Sequence, residues 1–200
     1  MLGRRPLSAV RWRLAAALLI SPLTLLAGLP VAHAVVYNTP PEDYASYQPQ
    51  TTCRKHPMPG TKVLAAWINR RFGGGPADAT MRPCNSGGTS EHKDGRAIDW
   101  TMDATKAADR DEVTRFFDKL FATDADGNPH ALARRMGIMY LIWNDHIYAS
   151  YRQFEARDYL DSSCPSVQKC SKTLRHRDHV HISLSRPGGR GATSWYAGRV

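Results

Sequence analysis

Apolar positions recur along the chain with two different periods, and the period assigns the elements. After Thr61, Val63, Leu64, Trp67 and Ile68 fall at i, i+1, i+4 and i+5, one face of a helix that Thr61 caps. That helix runs to about Phe72 and stops at Gly73-Gly74-Gly75-Pro76. Val113, Phe116, Phe117, Leu120 and Phe121 form a second such face over 109–123, with Asp109, Asp111 and Glu112 in the first turn, where the helix dipole favours acids. A short helix is predicted over 129–136, since Pro129 is tolerated in a first turn. Four β-rich runs follow strand patterns: AIDWTM at 97–102, IMYLIW at 138–143, HIYAS at 146–150 and HVHISL at 179–184. The middle two meet at Asn144-Asp145, which predicts a tight hairpin. Helices beside antiparallel strands, with no strand-helix-strand rhythm, predict an α+β domain: a small antiparallel sheet with helices packed on it.

That domain is placed at 51–185. Before it, Arg4, Arg5, Arg11 and Arg13 precede an apolar run from Leu14 to Val31 and then Ala32-His33-Ala34, the order of a secretory signal over 1–34. Ser21, Pro22, Thr24, Gly28 and Pro30 lower the helicity and apolarity of the run, so no stable membrane anchor is expected, and no cysteine follows to carry a lipid. Residues 35–50 read as an extended lead-in, and 186–200 as a Gly/Arg-rich tail that Trp195 and Tyr196 dock onto the domain. The expected location is secreted or cell-wall associated. All four cysteines follow the signal, which predicts two disulfides in an oxidising compartment. Sequence allows three pairings; Cys164–Cys170 closes a small loop around Pro165 and leaves Cys53–Cys84.

A chain 42% hydrophobic has material for a core and is not wholly disordered. Its 27 Lys and Arg against 18 Asp and Glu give a net charge of +9, part of it in the signal. The remaining excess suits an anionic wall polymer as partner. No basic run interleaves with aromatics, so nucleic acid is not expected.

Chemistry concentrates in two segments, Ser90-Glu-His92-Lys-Asp-Gly95-Arg-Ala97-Ile-Asp99 and Asp178-His179-Val-His181. On a strand, His179 and His181 project to one face while Val180 and Ile182 enter the apolar layer. Gly95 reaches positive φ at little steric cost, so a turn there brings His92 toward Asp99. Two imidazoles and a carboxylate with an open fourth position are what a catalytic Zn2+ uses. The nuclease reading of Asp178-His179-Val180 as an H-N-H start lacks its downstream Asn and His, and no G-x-S-x-G supports a serine hydrolase.

The first segment fits S-x-H-x-x-G-x-A-x-D at all five fixed positions, and with the downstream H-x-H it resembles the zinc peptidases of the D-alanyl-D-alanine carboxypeptidase and LAS endopeptidase superfamily. The resemblance implies an LAS-peptidase-like fold, zinc held by His92, Asp99 and His181, and Ser90 orienting a ligand from behind. It places Asp178 three residues before the last ligand, where the family activates water, and leaves His179 as the alternative base. Strict alternation puts Asp178 on the Val180 face unless the strand begins or kinks there. The implied activity is cleavage of peptidoglycan stem peptides, of D,D-carboxypeptidase or L,D-endopeptidase type; the alternative is a non-catalytic wall-associated binding module retaining the metal site. The arginine that carboxypeptidases use for the substrate carboxylate has only Arg82 as a candidate. The wider context, RPCNSGGTSEHKDGRAIDW, RRMGIMYLIWN and RHRDHVHISLS, looks like a group of secreted actinobacterial and fungal domains of unstated activity. His56, His130, His146 and His176 are expected at the surface, Lys93 and Arg96 on a solvated face of the turn, and Trp143 packed in the hairpin or lining a cleft.

Overall fold

The segment 179–184 is an interior strand of the sheet, paired on both sides. The computed structural model describes residues 37–200; the expected signal segment, and with it the apolar run, lies outside the described residues. Among these, helix α1 spans Pro59–Arg71, β1 Ala77–Asp78, α2 Glu91–Asp94, β2 Ala97–Thr101, α3 Ala107–Phe121, α4 Ala131–Arg135, β3 Ile138–Trp143, β4 His146–Ala149, β5 Ala156–Asp158, β6 His179–Leu184 and α5 Arg186–Arg190. The six strands form one sheet in the order β1-β2-β6-β3-β4-β5, every neighbour antiparallel. The fold is α+β, and no described helix is long and apolar enough to cross a membrane.

One sheet face is apolar. Ile98, Trp100, Leu141, Trp143, Val180 and Ile182 belong to a single buried cluster with Leu64 and Ile68 of α1 and Val113, Phe116 and Leu120 of α3. Phe72, Trp100 and Phe116 meet edge to face at 5.1–5.9 Å between ring centres, the arrangement aromatic quadrupoles prefer. Trp143 therefore packs in the core.

Two local expectations fail for identifiable reasons. Helix α1 starts at Pro59, and Thr61 lies inside its first turn, where its buried hydroxyl donates to the Gly95 carbonyl at 2.8 Å in place of capping. Lys93 and Arg96 are not on a solvated face: both are buried, Arg96 beneath the lead-in at Gln48. Lys93 Nζ donates to the Gly88 carbonyl at 2.9 Å, and Arg96 donates to the carbonyls of Leu184 and Gln48 and to Asp94. The hairpin is as expected, with Asn144 and Asp145 both at positive φ, 48° and 69°, the pair of left-handed residues a two-residue turn of the strand twist requires.

Two disulfides are present: Cys53–Cys84 joins the segment before α1 to the loop between β1 and α2, and Cys164–Cys170 closes a small loop between β5 and β6. The residues after β6 do not hang free of the domain. Ser185 Oγ accepts from Gly188 N–H to cap α5, Gly60 of α1 approaches α5 so closely that a Cβ there would collide with the Gly188 carbonyl, and Trp195 and Tyr196 are buried, Trp195 meeting Trp67 at 5.7 Å.

Candidate metal centre

The second face of the sheet is polar at its centre. In the β2–β6 register Asp99 stands opposite His181 and Thr101 opposite His179, so Asp99, His179 and His181 share that face as cross-strand neighbours. His92 reaches it from α2. That short helix enters from extended Ser90 and ends at Gly95, φ 72°, whose added Cβ would lie 2.9 Å from the His56 carbonyl. The left-handed glycine reverses the chain directly into β2 and lays a fully buried His92 over Asp99.

Three donor atoms converge. His92 Nε2 lies 3.2 Å from His181 Nδ1 and 3.3 Å from Asp99 Oδ1, and His181 Nδ1 lies 3.1 Å from the same oxygen. The outer ring nitrogens are occupied elsewhere. His92 Nδ1 is 2.9 Å from the Thr80 carbonyl, an atom that only accepts, so Nδ1 carries the proton and Nε2 presents a lone pair. His181 Nε2 is 2.8 Å from Ser183 Oγ, which orients Nδ1 inward when the hydroxyl accepts. Such partners for the outer nitrogens are the usual support of metal-binding imidazoles. Tetrahedral zinc with bonds of about 2.0–2.1 Å spaces its donors by about 3.3–3.4 Å, so the triangle has the right size and the right atoms for such an ion. His92, Asp99 and His181 could hold a metal ion.

Burial raises the Asp99 pKa, but the neighbouring His181 and His92 imidazoles outweigh it and hold the carboxyl far below the ordinary range. Burial pushes the His181 pKa down, only partly offset by Asp99. Both shifts keep the donors in the forms a cation needs: an ionised carboxylate and a neutral imidazole.

Around the triangle lie residues of two kinds. Strand β6 begins at His179, so Asp178 precedes the alternation and its carboxylate turns to the site face. Asp178 Oδ1 accepts from His179 Nδ1 at 2.7 Å and Oδ2 from the Thr173 hydroxyl at 2.5 Å, while His179 Nε2 faces Asp99 Oδ1 at 3.6 Å. Tyr140 stacks on His181 and donates to the buried Glu91 carboxylate at 2.6 Å. Ser90 does not cap α2 with its hydroxyl; its N–H donates to Gln50 Oε1. The support from behind comes from Thr80 and Ser183 instead. Arg82 is exposed, near Tyr159, whose ring meets His176.

His176 is the clearest departure from sequence expectation. It is buried, with its ring 4.8 Å from that of His179 and 5.6 Å from that of His181. Of the other three histidines expected at the surface, His56 is exposed, but His130 and His146 are half-buried, and His130 Nδ1 is bonded to the Tyr44 hydroxyl. Burial, then the neighbouring His181 and His179, push the His176 pKa down to about 3. Folded His176 is thus neutral where the unfolded chain takes up a proton below about pH 6.5, so stability falls as pH drops from about 6.5 toward 3. Urea midpoints of metal-free protein at pH 7 and pH 4.5 check this: wild type should lose about 1–3 kcal/mol more than His176→Phe, and equal losses would remove the assignment.

Residues 43–168 match the family model described as VldE, C-terminal domain. The match includes His92 and Asp99 and stops before Asp178, His179 and His181. No curated protein and no solved structure matches the chain.

Proposed function

We propose that this chain, which belongs to the VldE C-terminal domain family, is a secreted, zinc-dependent peptidase-like protein acting on peptidoglycan stem peptides. The observation that carries the reading is the triangle of His92 Nε2, Asp99 Oδ1 and His181 Nδ1, 3.1–3.3 Å on a side with its outer nitrogens tied back. Two disulfides support an oxidising compartment, and the net positive charge suits the wall as surroundings.

Zinc in this setting supplies Lewis acidity toward a substrate carbonyl and toward water. The remaining work falls to residues of the chain. His179 presents Nε2 toward Asp99 Oδ1 and has Nδ1 held by Asp178. Nε2 is placed to take a proton from attacking water and return it to the leaving amine. Asp178 fixes the tautomer and stabilises the imidazolium, so it acts through His179 as a positioning residue. Burial raises the Asp178 pKa, yet hydrogen bonds from Thr173 and His179 bring it below the ordinary value, which keeps the carboxylate ionised for that task.

The test is incubation of zinc-loaded protein with purified muropeptides and mass analysis of the products. Hydrolysis of a stem-peptide bond, lost on chelation and restored by zinc, is the expected result. Bound zinc with intact muropeptides would replace the peptidase by a wall-binding module.

A further inference from the structure

Three guanidinium groups without a carboxylate partner meet at one pocket beside the C-terminal end of α2. Arg54 comes from the segment after the lead-in, and Arg186 and Arg190, four residues apart, share one face of α5. With Thr51, Thr52, Met58, and the buried pair Asp94 and Arg96 they line a cavity of about 140 Å³. Arg96 is neutralised by Asp94 and fully engaged with the Leu184 and Gln48 carbonyls. None of Arg54, Arg186 and Arg190 forms an ion pair among the described residues, so the pocket carries the charge of three uncompensated cations.

Arg186 is held in place by the protein itself. Arg186 is half-buried, its N–H donating to Gln48 Oε1 and its guanidinium to the Pro49 carbonyl and to Thr51 Oγ1. Because Thr51 Oγ1 accepts there, its own proton is left to donate into the pocket. Like charges held together in a small volume repel one another, and an anion relieves that repulsion. Guanidiniums brought in from two chain segments can surround an oxyanion from more than one side, and arginine pairs with phosphate through two parallel hydrogen bonds.

We infer that this pocket binds a phosphoryl group, presented either as free phosphate or as a unit of a phosphodiester-linked polyol polymer of the cell wall. No lining residue is aromatic, so nucleobases would find no stacking platform and a nucleic acid is the disfavoured bearer of that group. The site is independent of the metal centre and stands whether or not the chain is a peptidase.

Calorimetric titration of the full, oxidised protein with inorganic phosphate, poly(glycerol phosphate) and a single-stranded oligonucleotide tests it at two salt concentrations. Arg54→Gln/Arg190→Gln alters only exposed side chains and should weaken phosphoryl binding by about tenfold or more, with a shallower salt dependence. Arg157→Gln, an exposed arginine of β5, should bind as wild type, and zinc content should be the same in all three proteins. Binding of the polymer without inorganic phosphate assigns the site to the wall, and binding of phosphate alone assigns it to the small ion; both keep the phosphoryl group. Failure of the wild type to bind either, wild-type affinity in the double variant, or tighter binding of the oligonucleotide than of the polymer would overturn it.

Discussion

His179→Ala is expected to lower muropeptide turnover by about 10²–10⁴-fold, the usual worth of a general base, while the protein keeps its zinc. The geometric reason is that Nε2 of His179 faces the donor triangle and Nδ1 is held by Asp178, so the imidazole is oriented for proton transfer and contributes none of the three triangle atoms. Asp178→Asn should cost less, about 10–100-fold, the range for loss of a supporting partner, because His179 remains but its tautomer is no longer enforced. Kinetics of both variants on one muropeptide separate the roles. Near-wild-type turnover in His179→Ala beside an inactive Asp178→Asn would give the base to Asp178, as the family position implies; zinc loss from Asp178→Asn would make that residue structural.

The second large effect lies in the support of α2. Arg96→Met should destabilise the fold by about 3–5 kcal/mol, since it breaks a buried pair and strands its partners. Arg96 and Asp94 have side chains 1% and 4% exposed. The guanidinium joins α2, the lead-in at Gln48 and the end of β6 at Leu184, with contacts of 2.8 Å to Asp94 and Gln48. Removing it leaves the Asp94 carboxylate to Thr52 alone, whose N–H and hydroxyl both donate to Asp94 Oδ1. Chemical denaturation of wild type, Arg96→Met and Arg96→Met/Asp94→Leu measures this. The double variant should recover part of the loss, because it no longer buries an unpaired charge; a single variant within about 0.5 kcal/mol of wild type, the range of an ordinary surface change, would show that the pair is not what holds α2.

Legibility in the sequence follows how local each feature is. The H-x-H of β6 follows from a period of two within one strand, so the shared face of His179 and His181 is legible in the residue pattern alone; Asp99 joins it through the β2–β6 register. Gly95 announces the turn that brings in His92. What the sequence does not reveal depends on distant segments. The Thr80 carbonyl that fixes His92 is a main-chain atom of a loop, and no residue type marks it. His176 enters the site because the turn before β6 holds it at φ 50°, with its carbonyl accepting from Asn144 N–H of the hairpin. Lys93 and Arg96 read as surface residues because charged side chains normally are, and only other segments, the 87–88 loop for Lys93 and Gln48 and Leu184 for Arg96, engage them in the fold. Strands β1 and β5, two and three residues long, are too short to show a period. The pairing of the cysteines and the α+β class are both within reach, since the first follows from loop closure and the second from the order of elements.

The most direct measurement is zinc content by elemental analysis after refolding the oxidised protein with Zn2+ and dialysing it against a weak chelator. The donor triangle predicts one ion per wild-type chain and none in His92→Ala, Asp99→Ala or His181→Ala. Full occupancy in His92→Ala, or none in the wild type, would contradict it.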